Sequence, residues 1–129
     1  MVEKFNQPRQ ETLVLKHFQS RELSFEEVEI AGNGTERTLE VGQVLAIYTG
    51  GGNIGTYVEA AVGGANGSDT AIAVLTDNVD VPAAGSAKSV AIQRLGVLDR
   101  DELIFTGSPN AAQQQAFIDS LAAAFLIAR

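Results

Sequence analysis

The sequence predicts a mainly β domain with one C-terminal helix, a compact barrel-like fold of short strands. Three observations predict it. From Leu23 onward apolar residues alternate with polar ones or run in short bursts, the period of half-buried and buried strands. Clusters of Gly, Asn, Asp and Pro break those bursts every eight to twelve residues or so, as in all-β barrels and sandwiches. After Pro109 the period changes to that of a helix. At 129 residues the chain suits one domain and is short for a second independent core.

Residues 1–20 read as a flexible N-terminal arm: polar, interrupted by Pro8, and without periodicity until the abrupt apolar run "TLVLKHF" at 12–18. Residues 21–129 form the β domain. "LSFEEVEI" alternates at Leu23/Phe25 and again at Val28/Ile30, and the slip at Glu26–Glu27 predicts a β-bulge. "AGNGTE" is a turn, and "TLEVGQVLAIYT" is a strand that becomes continuously apolar. "TYVEAAV" and "TAIAVLT" follow as strands on either side of the turn cluster "GGANGSD". "DNVDVPAAGSA" reads as a loop, because Pro82 cannot donate to a central ladder. "KSVAIQRLGVL" is a strand, "DRD" a tight turn polarised by Asp99, Asp101 and Glu102, and "ELIF" a last short strand. Ser108 is expected to cap the helix, with Pro109 at its first position. Phe117, Leu121 and Phe125, with Ile118 beside them, make one apolar stripe, and "FLIAR" either ends the helix or forms a final strand.

Composition removes several function classes. A net charge of −7 and no Lys or Arg between Arg37 and Lys88 argue against nucleic acid, which demands a basic surface. There is no cysteine, so disulfides, thiolate metal sites and Cys nucleophiles are excluded. No apolar run approaches a membrane span, and the first residues lack a signal-peptide core, so the reading is of a protein made in a cytoplasm and bound to no membrane.

One stretch invites a catalytic reading. In "YTGGGNIGTYV", Gly50, Gly52 and Gly55 fit G-x-G-x-x-G, and Asp77 falls near the place of a ribose-binding acid. That fingerprint needs a crossover helix after the third glycine, and Gly63-Gly64 and Gly67 leave no room for one. The glycines therefore read as a turn between strands, and Gly52→Ala is expected to disturb folding or assembly. Asp69, Asp77 and Asp80 lack the alternating spacing of a calcium loop. His17, the single histidine, cannot build a His-rich metal site or a triad and reads as a strand or arm residue. With no Trp and two Tyr there is little from which to build a sugar cleft beside paired carboxylates. No catalytic residue, cofactor or metal is expected.

From about Arg21 to its end the chain resembles the head decoration proteins of tailed phages, the family typified by the capsid-stabilising protein of phage lambda. The matching stretches are "LEVGQVLAIYTGGG", "YVEAA", "GSDTAIAVLTDNVDV", "AKSVAIQRLGVL", "ELIFTG" and the closing Ala-rich helix with "FLIAR". The chain departs from the lambda protein in lacking tryptophan and in its arm. The resemblance implies a β-clip-type domain, trimeric at three-fold positions on the outer surface of the expanded capsid, with the major capsid protein as partner. It also gives the arm a use: Thr12, Leu13, Val14, Leu15, Lys16 and Phe18 are the expected capsid-binding residues, adding a strand to an exposed sheet edge. Pairing within their own domain, or with a neighbouring subunit, stays open. The reading from another class is a small β module that binds carbohydrate or peptide.

Overall fold

The computed structural model describes residues 15–17, 25–92 and 96–129. Five strands close a barrel in the order β2-β5-β4-β6-β8: β2 (Phe25–Ala31), β5 (Tyr57–Glu59), β4 (Val44–Ile47), β6 (Ala73–Leu75) and β8 (Ser86–Ile92). The long seam is the antiparallel β2–β8 ladder, which runs unbroken from Phe25↔Ile92 to Ala31↔Ser86. The weak seam is β2–β5, a parallel pair joined at Ile30↔Tyr57. β4 lies between β5 and β6, antiparallel to both. Two smaller units flank the barrel. β3 (Arg37–Leu39) and β7 (Val79–Val81) form an antiparallel ribbon, and β1 (Leu15–His17), β9 (Gly96–Leu98) and β10 (Leu126–Ala128) form a sheet in the order β1-β9-β10. The helix α1 (Ala111–Ala123) packs beside β10.

The hydrophobic residues divide into two clusters because both faces of the barrel wall are covered. Val28, Ile30, Leu45, Ala73, Leu75 and Ala91 point inward with Tyr57, so every barrel strand contributes, and Leu39 and Val81 of the ribbon join them. Phe25, Val44, Ala46 and Val74 point outward and meet Phe117, Ile118 and Leu121 of α1, together with Leu98, Leu126 and Ala128 of the flanking sheet. Phe105 stacks on Phe117 with ring centroids 6.0 Å apart.

This two-sided wall explains the first departure from the sequence reading. β2 carries no bulge at Glu26–Glu27, since its register with β8 never shifts. Phe25 and Val28 are both buried because they serve opposite faces, Phe25 the outer cluster and Val28 the inner one. Other segments also differ from the expectation. "TLEVGQVLAIYT" splits into β3 and β4 at Gly42, which takes φ 101° and approaches Glu102 so closely that a Cβ would overlap its carbonyl. "DNVDVPAAGSA" contains β7, with Pro82 just after it. "KSVAIQRLGVL" yields β8 and β9, which belong to different sheets. "ELIF" supplies only the bridge Gln43↔Ile104, and "DRD" opens a 3-10 turn at Arg100–Glu102 that Asp99 caps by accepting from the Asp101 N–H.

The helix also begins and ends elsewhere. Asn110, not Ser108, is the N-cap: its Oδ1 accepts from the Gln113 N–H, and Gln113 Oε1 accepts from the Asn110 N–H, both at 2.9 Å. That reciprocal box satisfies two groups where Ser108 would satisfy one. Phe117, Ile118 and Leu121 are buried as the stripe predicts, but Phe125 is not. The helix stops at Ala123, the chain turns through a left-handed residue, and "FLIAR" continues as the strand β10.

Candidate functional site

Of the expected arm residues, Leu15 and Lys16 lie in β1, together with His17. Thr12, Leu13, Val14 and Phe18 lie outside the described residues. β1 runs antiparallel to β9, with Leu15 opposite Leu98 and His17 opposite Val97. Residues 15–17 of the apolar arm segment therefore pair with the chain's own domain. β1 is an end strand in the order β1-β9-β10, so no other described strand takes its second edge. On the far side of β9, β10 runs parallel, from Leu126↔Gly96 to Ala128↔Leu98. The sheet thus joins a segment near residue 15 to one near residue 128.

The glycine stretch is the loop of an antiparallel hairpin between β4 and β5, as expected of a turn between strands. Gly55 N–H donates to Tyr48 O and Tyr48 N–H to Thr56 O, each at 2.9 Å, which closes the loop. Its glycines serve unequal needs. Gly51 takes φ 79° and lies against the Asn66 amide, and Gly55 takes φ 89°. Gly52 has neither constraint: its φ is ordinary and its Cβ would meet open space. The sensitive positions are therefore Gly51 and Gly55, and not Gly52. Asn66, itself at φ 58°, accepts the Thr49 N–H at 2.8 Å and so fastens the next loop to this one. The large apolar side chains exposed here are Ile54 and Val62.

Sequence reasoning missed the strongest polar feature. Arg37 Nε and Nη2 each lie 2.6 Å from a carboxylate oxygen of Glu59, and Nη2 also donates to Ala31 O at 3.0 Å. The two side chains are 14% and 11% exposed. One guanidinium thereby ties the ribbon to the ends of β2 and β5, across the seam that has the fewest strand pairings. The available signal was Arg37's place as the last cation before a fifty-residue stretch without any. The acidic residues weighed for calcium are apart: Asp80 accepts from Thr38 Oγ1 at 2.7 Å, while Asp69 neighbours Thr70. Among the described residues no group of three or more His, Asp or Glu converges as a metal site would require. No helix among them is long and apolar enough to cross a membrane.

The described features are thus an end strand, β1, a fastened pair of loops and the exposed apolar side chains of Phe125 and Ile127. The family model described as bacteriophage lambda head decoration protein D matches residues 4–126. No curated protein and no solved structure matches the chain. Mainly β, with a closed barrel and a single C-terminal helix, and matched over nearly its whole length, the chain belongs to the phage head decoration family.

Proposed function

We propose that this protein binds the outer surface of the expanded phage capsid as trimers at three-fold positions and cements the head against internal genome pressure. It is made in the host cytoplasm and ends on the virion, with the major capsid protein and other copies of itself as partners. The family match over residues 4–126 carries the reading, since the family is one of structural capsid proteins. The arm supports it: β1 occupies a sheet end, and a strand whose second edge is taken by no other described strand is a template for strand addition. Thr12, Leu13, Val14, Leu15, Lys16 and Phe18 are assigned to that contact. Stabilisation then follows from mass action. A protein that binds only the expanded lattice stabilises it by about 2.7 kcal/mol per site at a hundredfold excess over Kd, and many copies multiply that.

The test is co-sedimentation with expanded and unexpanded heads of the source phage. Retention on expanded heads alone supports the proposal, and retention on neither defeats it. Truncation refines the role of the arm. Deleting residues 1–14 keeps the β1–β9 ladder, so capsid affinity should fall while the Tm of the free protein stays nearly constant. Deleting residues 1–18 removes that ladder as well. A large Tm loss from the shorter deletion would make the arm part of the domain's own core.

A further inference from the structure

The contact between β1 and β9 is small and uneven. Leu15 stands opposite Leu98 and His17 opposite Val97, so two steps along β1 match one step along β9. β9 is held firmly from its other side. There Gly96 N–H donates to Phe125 O and Leu98 O accepts from Arg129 N–H, both at 3.1 Å, in even register with β10. Successive residues of a strand send their backbone groups to opposite edges. Within β9, Val97 alone therefore turns its N–H and C=O towards β1. The pairing with β1 draws on the backbone of that one residue, and the β9–β10 ladder does not depend on it.

We infer that β1 on β9 is an autoinhibited form of the arm, and that the expanded capsid takes β1 in exchange for β9. The inference rests on the capsid-binding reading above. While β1 stays on β9, one of its edges is occupied and a partner strand meets only the other. Release makes both edges available for strand addition. The closed form has a use before assembly. A free strand from an apolar run such as "TLVLKHF" is a template for self-association, and pairing within the chain blunts it. The contact is small enough to give up, which makes the open arm a minor state, on the order of 0.1–10% of molecules. Affinity that draws on such a state is reduced by its fraction. Closing or opening the arm must therefore move head binding.

The chain has no cysteine, so an engineered pair can lock this contact selectively. The full-length double variant His17→Cys/Val97→Cys puts two thiols on Cα partners. Opposed residues of an antiparallel pair have Cα atoms about 4.5–5.5 Å apart, within the range a disulfide spans. The oxidised variant should bind expanded heads about tenfold more weakly than the same protein after reduction, and the reduced form should bind like wild type. Val97→Pro works in the opposite direction. It removes the N–H that faces β1, on the edge of β9 that β10 does not use. It should bind heads several-fold more tightly than wild type and self-associate faster without them. Oxidised protein that binds as well as reduced protein overturns the inference, because β1 would then act from its place on β9. Failure of the two thiols to join on oxidation overturns it as well, since the closed form would be absent from the free chain. If wild type itself fails to bind heads, the capsid reading falls first and takes this inference with it.

Discussion

Arg37→Ala removes the guanidinium that spans the barrel's weak seam, and its cost follows from the geometry. The substitution deletes two bonds to Glu59 and one to Ala31 O, and leaves the Glu59 carboxylate in a site only 11% exposed. Breaking a buried pair from one side costs about 3–5 kcal/mol, because the surviving charge keeps its desolvation and loses its partner. The lower figure suits a pair with some solvent access, and Arg37 Nη1, buried with no acceptor among the described residues, already detracts from the native arrangement. Unfolding entropy near 60 °C is about 2.1 cal/mol/K per residue, so for 129 residues a loss of about 3 kcal/mol lowers Tm by about 11 °C. Calorimetry and urea titration of Arg37→Ala, Glu59→Leu and the double variant Arg37→Met/Glu59→Leu measure this. Each single variant should lose about 3 kcal/mol, and the double variant should return to within about 1 kcal/mol of wild type. Single-variant losses below about 1 kcal/mol, the scale of an exposed pair, would refute the claim that this clamp braces the seam. A double variant as unstable as the sum of the singles would refute it equally.

Gly42→Ala should cost more than 3 kcal/mol by urea titration, since its Cβ overlaps the Glu102 carbonyl and its φ is 101°. Gly52→Ala, by contrast, should stay within about 0.5 kcal/mol of wild type in the same assay. Asn110→Ala breaks the capping box and should destabilise by about 1 kcal/mol, visible as a Tm drop of a few degrees. Leu121→Ala opens a cavity between helix and barrel wall, where the side chain is wholly buried, and should cost about 3–5 kcal/mol of unfolding free energy.

The fold class was legible because strand period and turn chemistry are local. So was the buried face of the helix, with Phe117, Ile118 and Leu121 on one stripe. What escaped depends on which face a neighbour covers. The spacing of Phe25 and Val28 mimics a bulge because the barrel wall is buried on both sides, a fact about the helix ninety residues later. The break between β8 and β9 was hidden because an apolar run looks the same whether it stays in one sheet or crosses to another. Phe125 was placed on the helix's apolar stripe because helical spacing gives no hint that the helix stops two residues earlier. For the candidate site, the sequence marked the arm segment as out of place but not its pairing with β9. The Arg37–Glu59 clamp joins residues 22 positions apart, and no short motif announces it.

The flanking sheet has a consequence for the order of events on the ribosome. Every barrel strand falls within residues 25–92, so the barrel can close while later residues are still being added. β1 must wait for β9, and β10 comes last of all. The outer strands of this sheet are separated by more than a hundred residues of chain, a slow, non-local closure. A nascent or prematurely terminated chain would hold a barrel and lack the surface bearing Phe125 and Ile127. Completion of this sheet therefore depends on the last residues to be synthesised.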